Sequence, residues 1–337
     1  MRVESHKSLK SLNTFGIDCK ARHFVSVTTL SELKEVLSQK LHPSLFILGG
    51  GSNMLLTKDI DAFVAHINLK GIHIISEKDS EVLIEAMAGE NWHEFVQFAI
   101  ENDLGGLENP SLIPGNVGTA PIQNIGAYGV ELKDVFECCT AYDIETLEKV
   151  VFSKADCKFG YRNSIFKNEA KGKYVITSVV FKLTKTNHKL STSYGAIQTE
   201  LEENNISQPT IADISKAVIT IRQSKLPDPA KLGNSGSFFK NPVISSAHFK
   251  EFRRKQPQAP FYEVSATEFK IPAGWLIEQA GFKGQRFGDA GVHKNQALVL
   301  VNYGKASGSE IWELALRIQN KVKEEFDIYI EPEVNVI

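Results

Sequence analysis

Apolar residues recur at helical spacing in several stretches of the chain. The capping-box sequence Thr29-Leu-Ser-Glu32 and the apolar positions after it predict an amphipathic helix over about 30–40. Asn91 is placed to cap a second helix, which contains Trp92 and ends before Gly105-Gly106. Further helical patterns cover about 211–222, 273–281 and 309–325, the last opened by a second capping box, Ser307-Gly-Ser-Glu310.

Short apolar runs predict strands between these helices. Leu45–Leu48 leads directly into a glycine-rich turn, and an apolar run resumes at Met54. Strand patterns dominate 135–184 and are clearest at Val150–Phe152 and Tyr174–Leu183, and alternation at Ile328–Pro332 predicts a last strand. Because strands and helices do not alternate strictly, the pattern predicts an α+β architecture in several lobes rather than a doubly wound sheet.

Composition and charge exclude several classes of protein. The 337 residues are 42% hydrophobic, which argues against a disordered chain. Lys and Arg total 38 against 40 Asp and Glu, so the net charge of −2 predicts no general affinity for nucleic acid or anionic membranes. No apolar stretch approaches the roughly 18 residues of a membrane helix, and the N-terminus lacks a signal-like apolar region. We therefore expect a cytoplasmic protein without membrane insertion.

Cysteines and histidines do not indicate a metal centre. The four cysteines include no C-x-x-C pair, and the nine histidines form no HExxH motif, so we expect no metal. The adjacent Cys138 and Cys139 are interpreted as reduced thiols rather than a redox pair, because no electropositive group is near them in the sequence.

Two glycine-rich loops are candidates for holding a pyrophosphate, which is bound by convergent backbone N–H groups. The first is Gly49-Gly50-Gly51-Ser52-Asn53; it is not a dinucleotide fingerprint, because Met54 occupies the third glycine position, and a plain tight turn is the alternative. The second runs from Ile113 to Gly129, and a loop of this length and apolar content indicates function rather than disorder.

Three side chains are candidates for chemistry. Arg162 lies among aromatic residues that would orient it toward a carboxylate, although an arginine simply stacked on Tyr161 is equally compatible. Ser237 follows a glycine, where a turn hydroxyl is the more common role. Glu331 lies between an isoleucine and a proline, so an apolar setting would favour its protonated form; an exposed carboxylate is the alternative.

The motifs PIQNIGAYG, YRNSIF, GSFFKNP and EPEV, in this order, resemble the UDP-N-acetylenolpyruvoylglucosamine reductase (MurB) family. The resemblance runs from Asn13 to Val334, and Ser191-Thr-Ser-Tyr194-Gly195 is similar to the tyrosine-bearing loop of the type I branch. Asn335 departs from the family, whose members often carry a basic residue there, which puts the packing behind Glu331 in doubt.

The resemblance implies an FAD-binding fold of the vanillyl-alcohol-oxidase (PCMH) type with a smaller α+β substrate domain. We place the first FAD-binding lobe in 1–70 with 326–337, the second in 71–221, and the substrate domain in 222–325. FAD would be bound non-covalently, because histidines and cysteines lie outside both glycine-rich loops. The residues implied to line it are Gly49, Gly50, Gly51, Ser52, Asn53, Pro114, Gly115, Asn116, Val117, Gly118, Thr119, Gln123, Asn124, Gly126, Ala127, Tyr128 and Gly129.

The resemblance also implies the reaction. NADPH would reduce FAD, and N5 of reduced FAD would transfer hydride to the enolpyruvyl methylene carbon, giving UDP-N-acetylmuramate for peptidoglycan synthesis. Arg162 would bind the substrate carboxylate, Glu331 would stabilise the enolate in its protonated form, and Ser237 would protonate the carbon, with Ser235 as a rival donor.

The UDP-sugar diphosphate and sugar would be held by Tyr194, Lys225 and Asn241, and Lys225 would also meet NADPH phosphates. A monomer with no nucleic-acid partner is expected. Two other functions stay open from the sequence. One is a flavoprotein of the same fold that reduces another acceptor, and the other is a nucleotide-sugar binding protein that has lost turnover.

Overall fold

The structure is a computed structural model that describes residues 1–41 and 44–337. Its α-helices within those residues are α1 (Leu30–Ser38), α2 (Trp92–Glu101), α3 (Gly195–Glu203), α4 (Ile211–Lys225), α5 (Ser246–Lys255), α6 (Ala273–Gln279) and α7 (Gly308–Phe326). Short 3-10 helices cover Lys10–Leu12, Val117–Gln123, Leu132–Asp134 and Ile165–Lys167. None of the helices in the described residues has both the length and the apolar character needed to cross a membrane.

The strands are β1 (Glu4–Ser8), β2 (Lys20–Val27), β3 (Leu45–Leu48), β4 (Met54–Leu55), β5 (Ile60–Ile67), β6 (Ile72–Glu77), β7 (Glu81–Met87), β8 (Gly126–Ala127), β9 (Val130–Glu131), β10 (Phe136–Asp143), β11 (Lys149–Ser153), β12 (Tyr174–Thr184), β13 (Val243–Ser245), β14 (Tyr262–Ser265), β15 (Glu268–Lys270), β16 (Arg286–Phe287), β17 (Ala290–Val292), β18 (Leu300–Asn302) and β19 (Asn335–Val336). They occur beside the helices in no strict alternation, which gives the chain its mixed α and β character.

The chain divides into two compact units. The first unit comprises Met1–Lys7, Ala21–Gly50 and Ile60–Arg222, and the second comprises Ser8–Lys20, Gly51–Asp59 and Gln223–Ile337. The division into three lobes expected from the sequence stays a prediction.

Within the described residues, the first unit contains two larger sheets and the two-stranded sheet of β8 and β9. One has the order β1-β2-β5-β3, with β5 parallel to both β2 and β3, and the buried face of α1 belongs to the same apolar cluster. The other is antiparallel with the order β11-β10-β12-β7-β6. Helix α2 packs against it, with the Phe95 and Phe181 ring centroids 4.8 Å apart. This core supports the segment 109–129, which follows α2 in the chain.

The second unit is built around α7 and short sheets. The sheets have the orders β13-β15-β14 and β16-β17-β18, and β19 pairs in parallel with β4. Helix α7 is capped by Ser307 and Glu310, as the sequence predicts, and it buries one apolar face that includes Ile311 and Ile318.

Most predicted elements are confirmed, including the capping box of α1 and the cap of α2 by Asn91. The predicted strand at Ile328–Pro332 is wrong over Ile328–Ile330, whereas Pro332 forms an isolated antiparallel bridge with Phe239. Both isoleucines are buried, but Gln319 of α7 donates from Nε2 to the Ile330 carbonyl at 2.7 Å. The alternating pattern therefore records burial beside a helix rather than pairing in a sheet.

Candidate functional site

The two glycine-rich loops meet within the first unit. A Cβ atom on Gly50 would lie 2.8 Å from both Asn116 Oδ1 and Gly115 Cα, and one on Gly49 would collide with the methyl group of Thr119. Because no residue with a Cβ fits at either glycine without displacement, the close approach of the loops requires glycine. Residues that the sequence assigns to a single cofactor are thus brought together by direct backbone contact.

This contact leaves backbone donors available. Within the described residues, the N–H groups of Gly49, Gly50, Gly115 and Asn116 donate to no protein acceptor. Several unpaired N–H groups at one glycine-lined point are the donor set that binds a pyrophosphate. At Gly49–Gly50 and Gly115–Asn116, the first unit therefore has backbone donors suited to a diphosphate, and their binding to FAD stays a prediction.

The N–H groups that follow in the second loop are engaged within the protein. Val117 N–H donates to the Glu90 carbonyl at 2.9 Å and Gly118 N–H to the Ala88 carbonyl at 3.0 Å, while Thr119 N–H closes a 3-10 turn. A Cβ on Gly118 would also collide with Ala88. These residues hold the loop against β7 and α2, so their contribution to a ligand site is to position it.

Arg162 is tied to the second loop. Its Nη2 donates to the Gly126 carbonyl at 2.5 Å, and its guanidinium lies 5.5 Å from the Tyr161 ring centroid. Buried Asn124 adds a bond from Nδ2 to the Gly160 carbonyl at 3.0 Å. The structure therefore shows the stacking of Arg162 on Tyr161, and it also ties Arg162 to the loop implied to line the flavin. Binding of a carboxylate by Arg162 stays a prediction.

Tyr194 lies beside Tyr128 of the second loop. Their ring centroids are 5.2 Å apart in an edge-to-face arrangement, and the Tyr194 side chain is half exposed. Asn109 connects the same two segments, because its Nδ2 donates to the Tyr128 carbonyl at 3.0 Å and to the Ser191 carbonyl at 2.9 Å. The first unit therefore brings the implied substrate tyrosine to the implied cofactor loop.

The rest of the first glycine-rich stretch belongs to the second unit. Gly51 has φ +59°, and a Cβ there would collide with the Leu12 carbonyl. Asn53 is bonded to the C-terminal segment, with its carbonyl accepting from Asn335 Nδ2 at 2.8 Å and its Nδ2 donating to the Glu333 carbonyl at 3.4 Å. Asn335, the departure from the family pattern, is thus part of the packing around Asn53.

Two serines near the GSFFKNP motif have different settings. Ser235 is buried, and its hydroxyl is 3.3 Å from both Thr14 Oγ1 and the Met54 carbonyl. Ser237 is exposed and follows Gly236, whose φ is +69°. Because the Ser235 hydroxyl has two protein neighbours, this setting supports Ser237 as the residue that reaches a ligand.

Glu331 is exposed rather than in the apolar setting considered from the sequence. Its Oε2 lies 3.1 Å from Lys240 Nζ, and its carbonyl accepts from Lys240 N–H at 2.9 Å. Its neighbour Pro332 bridges Phe239, so the EPEV and GSFFKNP motifs run side by side in the second unit. The neighbouring Ile330 was a misleading guide to the setting of Glu331, because Ile330 faces the core whereas Glu331 faces solvent.

The remaining implied substrate residues also lie in the second unit. Lys225 is the exposed last residue of α4. Asn241 accepts at Oδ1 from Ala273 N–H at 2.9 Å, which caps the start of α6. Asn241 therefore has a structural bond in addition to the ligand role implied for it.

Sequence reasoning missed three residues, two in the first unit and one in the second. Asn109 and Arg222 each carry a buried polar atom without a hydrogen-bond partner among the described residues, and Lys240 pairs with Glu331. A signal was available for both Lys240, which lies within the GSFFKNP motif, and Arg222, which precedes Lys225 by three residues. Asn109 has no such signal, because one asparagine in a polar loop is indistinguishable from a turn residue.

Comparison with known proteins agrees with this geometry. Residues 21–147 match the model of an FAD binding domain, and residues 228–337 match that of the UDP-N-acetylenolpyruvoylglucosamine reductase C-terminal domain. A UDP-N-acetylenolpyruvoylglucosamine reductase of Flavobacterium johnsoniae is 62% identical to the chain over the full length of both. The chain belongs to the UDP-N-acetylenolpyruvoylglucosamine reductase family.

Other relatives extend the likeness. A reductase of the same name from Pseudomonas fluorescens is 48% identical, over 99% of this chain and 98% of its own. The crystal structure of the MurB reductase from Thermus caldophilus matches with a TM-score of 0.70 and 25% identity, covering 100% of this chain and 99% of that one. The expected α+β fold class with an FAD-binding domain is confirmed, and the protein is an oxidoreductase with a flavin site.

Proposed function

We propose that the protein reduces UDP-N-acetylenolpyruvoylglucosamine to UDP-N-acetylmuramate with NADPH, as a step in peptidoglycan precursor synthesis in the bacterial cytoplasm. The observation that carries the proposal is the full-length identity of 62% to a reductase of that name. The exposed Ser237 beside an internally bonded Ser235 supports it, because this reaction needs a proton donor that faces the ligand.

FAD, when bound, accepts hydride from NADPH and supplies it to the enolpyruvyl methylene carbon. Hydride addition there places negative charge on the neighbouring carbon and its carboxylate, so the protein must stabilise that charge and then deliver a proton. Arg162 binds the carboxylate, for which its fork of N–H donors is suited. Ser237 delivers the proton to carbon, since its hydroxyl is exposed.

Glu331 stabilises the enolate by donating a hydrogen bond from its protonated form. In the substrate-free protein its carboxyl group has an ammonium partner, Lys240, at 3.1 Å. Donation to the substrate therefore requires that Glu331 separates from Lys240 and takes up a proton from solvent when the substrate binds. Exposed ion pairs of this kind are weak, so a bound ligand can displace one at a cost of less than about 1 kcal/mol.

Tyr194, Lys225 and Asn241 bind the diphosphate and sugar of the substrate. Tyr194 and Lys225 are both exposed, as a transient ligand requires. Lys225 also contacts the phosphates of NADPH in the first half-reaction. Because the amide oxygen of Asn241 is engaged with Ala273, its amino group is the part that binds a ligand oxygen.

One assay separates this function from its competitors. The purified protein should be yellow and should oxidise NADPH only when the enolpyruvyl substrate is present. A flavoprotein with another acceptor would oxidise NADPH without responding to that substrate, and a binding protein would take up the UDP-sugar without oxidising NADPH. Either result would overturn the proposal.

The non-covalent attachment of FAD is tested by acid. Precipitated protein should release all of its flavin to the supernatant, because no histidine or cysteine lies in either glycine-rich loop. Yellow colour that stays with the pellet would contradict it. We further propose that the protein acts as a monomer, which gel filtration with light scattering would test.

A further inference from the structure

The chain that leads into the second glycine-rich loop is fastened to the first turn of α2. Trp92 donates from Nε1 to the Pro110 carbonyl at 3.0 Å, and its backbone N–H donates to the Gly115 carbonyl at 2.9 Å. Between these two points, His93 Nδ1 accepts from Leu112 N–H at 3.0 Å. The start of α2 therefore holds this stretch of chain at three points, two of them through side chains.

Leu112 has a backbone conformation that a leucine disfavours. Its φ is +59°, in the left-handed region, where the Cβ of any residue but glycine crowds the backbone. Residues in such a state persist only where their surroundings hold them, and they concentrate near functional sites. The preceding residue, Ser111, is held by Ser215 of α4, with 2.8 Å between their Oγ atoms. The partner that holds the N–H group of Leu112 itself is His93.

The unpaired backbone donors of the loop come soon after Leu112. The N–H groups of Gly115 and Asn116 donate to no acceptor within the described residues. Backbone bonds from the Gly115 carbonyl and the Val117 N–H to the chain entering α2 hold the loop at and after these donors. On the side before them, the bond to His93 fixes the direction in which the chain arrives. The aim of the two donors therefore depends on a side chain that is not itself among them.

His93 accepts from Leu112 only while its Nδ1 carries no proton. Burial lowers the pKa of His93, the positive charge of Arg222 on α4 lowers it further, and Glu94 on α2 opposes both. The net shift is downward, so the imidazole is neutral near neutral pH. With Nδ1 as the acceptor, the ring proton is on Nε2. The surroundings of His93 thus keep it in the form that accepts from a backbone N–H.

We propose that His93 is a positioning residue for FAD, because through Leu112 it holds the N–H groups of Gly115 and Asn116 in the direction that binds the diphosphate. The inference rests on the proposed function in that FAD occupies these donors. The role of His93 ends where the conformation of residue 112 needs no support. Glycine adopts positive φ without a steric penalty, so Leu112→Gly should remove most of the need for His93. A histidine that only fills space would not show this dependence.

The test is the dissociation constant of FAD from the apoprotein, measured by flavin fluorescence. His93→Leu removes the acceptor and should raise this constant about tenfold, because the left-handed conformation of a non-glycine residue is disfavoured by roughly that factor. His93→Asn keeps an acceptor and should recover most of the loss. His73→Leu, which replaces an exposed histidine on β6, is the matched control and should equal the parent.

The glycine background gives the result that is specific to positioning. In Leu112→Gly, the further change His93→Leu should raise the FAD dissociation constant by less than about threefold, since the two residues act through one conformation. An equal loss in both backgrounds would overturn the inference, and so would parental affinity in His93→Leu. Failure of His93→Asn to recover the affinity would overturn it as well.

The substrate is another source of a diphosphate, so binding of UDP to the oxidised holoprotein is measured by calorimetry for the same variants. His93→Leu should leave the UDP affinity unchanged. Parental FAD affinity together with a UDP affinity about tenfold weaker would show that the two donors serve the substrate, and the inference would be wrong. No NADPH and no enolpyruvyl substrate enters these measurements, so their outcome is independent of whether the protein catalyses the proposed reaction.

The parent protein gives a second measurement in case His93→Leu does not fold. Protonation of His93 removes the acceptor for Leu112 N–H, so FAD should bind the parent more weakly, relative to His93→Asn, as the pH falls below about 6.5. The comparison of the two proteins cancels the titration of other groups. Parallel pH curves would overturn the role of His93. A parent affinity that rises relative to His93→Asn would also overturn it, because the protonated imidazole would then attract the diphosphate directly.

Discussion

The implied site residues of the second glycine-rich loop differ from those of the second unit in burial and in hydrogen bonding. In the loop, Asn124 is fully buried and bonded at both ends of its amide, and the N–H groups of Val117 and Gly118 are paired with protein carbonyls. In the second unit, Ser237 and Glu331 are exposed. The first arrangement fixes a shape, whereas the second presents reactive groups.

This difference predicts how each region responds to substitution. A buried side chain with several hydrogen bonds contributes to stability, because its removal leaves unsatisfied partners. An exposed side chain with few protein contacts contributes little to stability, so its substitution affects chemistry alone. Loop variants should therefore lose folding free energy and FAD affinity, and variants in the second unit should lose turnover.

The largest effect is expected for Ser237→Ala. Loss of a positioned general acid costs about 10²- to 10⁴-fold, and the reduction of the enolpyruvyl substrate should fall by at least that much. Reduction of FAD by NADPH requires no proton donor to carbon and should stay near the parental rate. Stopped-flow measurement of the two half-reactions separates them, and Ser237→Cys should recover part of the loss because a thiol also donates.

Ser235→Ala is the control for this prediction. Its hydroxyl lies 3.3 Å from both Thr14 Oγ1 and the Met54 carbonyl, so its removal should reduce stability with little effect on proton transfer. If Ser237→Ala turned over at the parental rate and Ser235→Ala did not, the buried serine would be the acid.

The sequence predicts the secondary structure better than it predicts the hydrogen bonds and ion pairs around the candidate site residues. Helices α1, α2 and α7 were predictable because caps and apolar periodicity are local signals. The pairing of Glu331 with Lys240 was not, since it joins residues 91 positions apart. Arg222 stands close to Lys225 in the sequence, but the lack of an acceptor for its Nε among the described residues was not predictable, because it depends on the whole surrounding fold.

The next effect in size is expected for Asn124→Ala. Asn124 accepts from Lys133 N–H at 3.0 Å, donates to the Gly160 carbonyl and Glu131, and has φ +45°, which alanine adopts unfavourably. The free energy of unfolding in urea should fall by about 2–4 kcal/mol. The exposed Asn163→Ala should lose less than about 1 kcal/mol. Equal losses in the two variants would show that buried Asn124 contributes no more to stability than exposed Asn163.

A smaller effect is expected for Gly50→Ala. The added methyl group would lie 2.8 Å from Gly115 Cα, which is backbone and cannot rotate away. Such overpacking costs about 1–3 kcal/mol, so the dissociation constant of FAD from the apoprotein should rise roughly tenfold or more. Gly195→Ala is the control, because a Cβ there meets nothing within 4 Å. Unchanged FAD affinity in Gly50→Ala would show that the two loops move apart to accept the methyl group without weakening FAD binding.

The smallest effect is expected in the pH dependence of the free energy of unfolding, through His93. His93 accepts at Nδ1 from Leu112 N–H at 3.0 Å, and burial, with a contribution from Arg222, lowers the His93 pKa in the folded protein. The unfolded chain binds a proton near pH 6.5, the ordinary histidine value, whereas the folded protein binds it only at lower pH. Stability from this group is therefore present above about pH 6.5 and is lost as the pH falls toward the folded pKa, by at most about 1.4 kcal/mol per pH unit.

His93→Asn keeps an acceptor that does not titrate, so its free energy of unfolding should depend less steeply on pH in that window. Replacement of the exposed His6 by asparagine should leave the parental curve unchanged, and a His93→Asn curve parallel to the parent's would show that His93 is not held neutral by the fold.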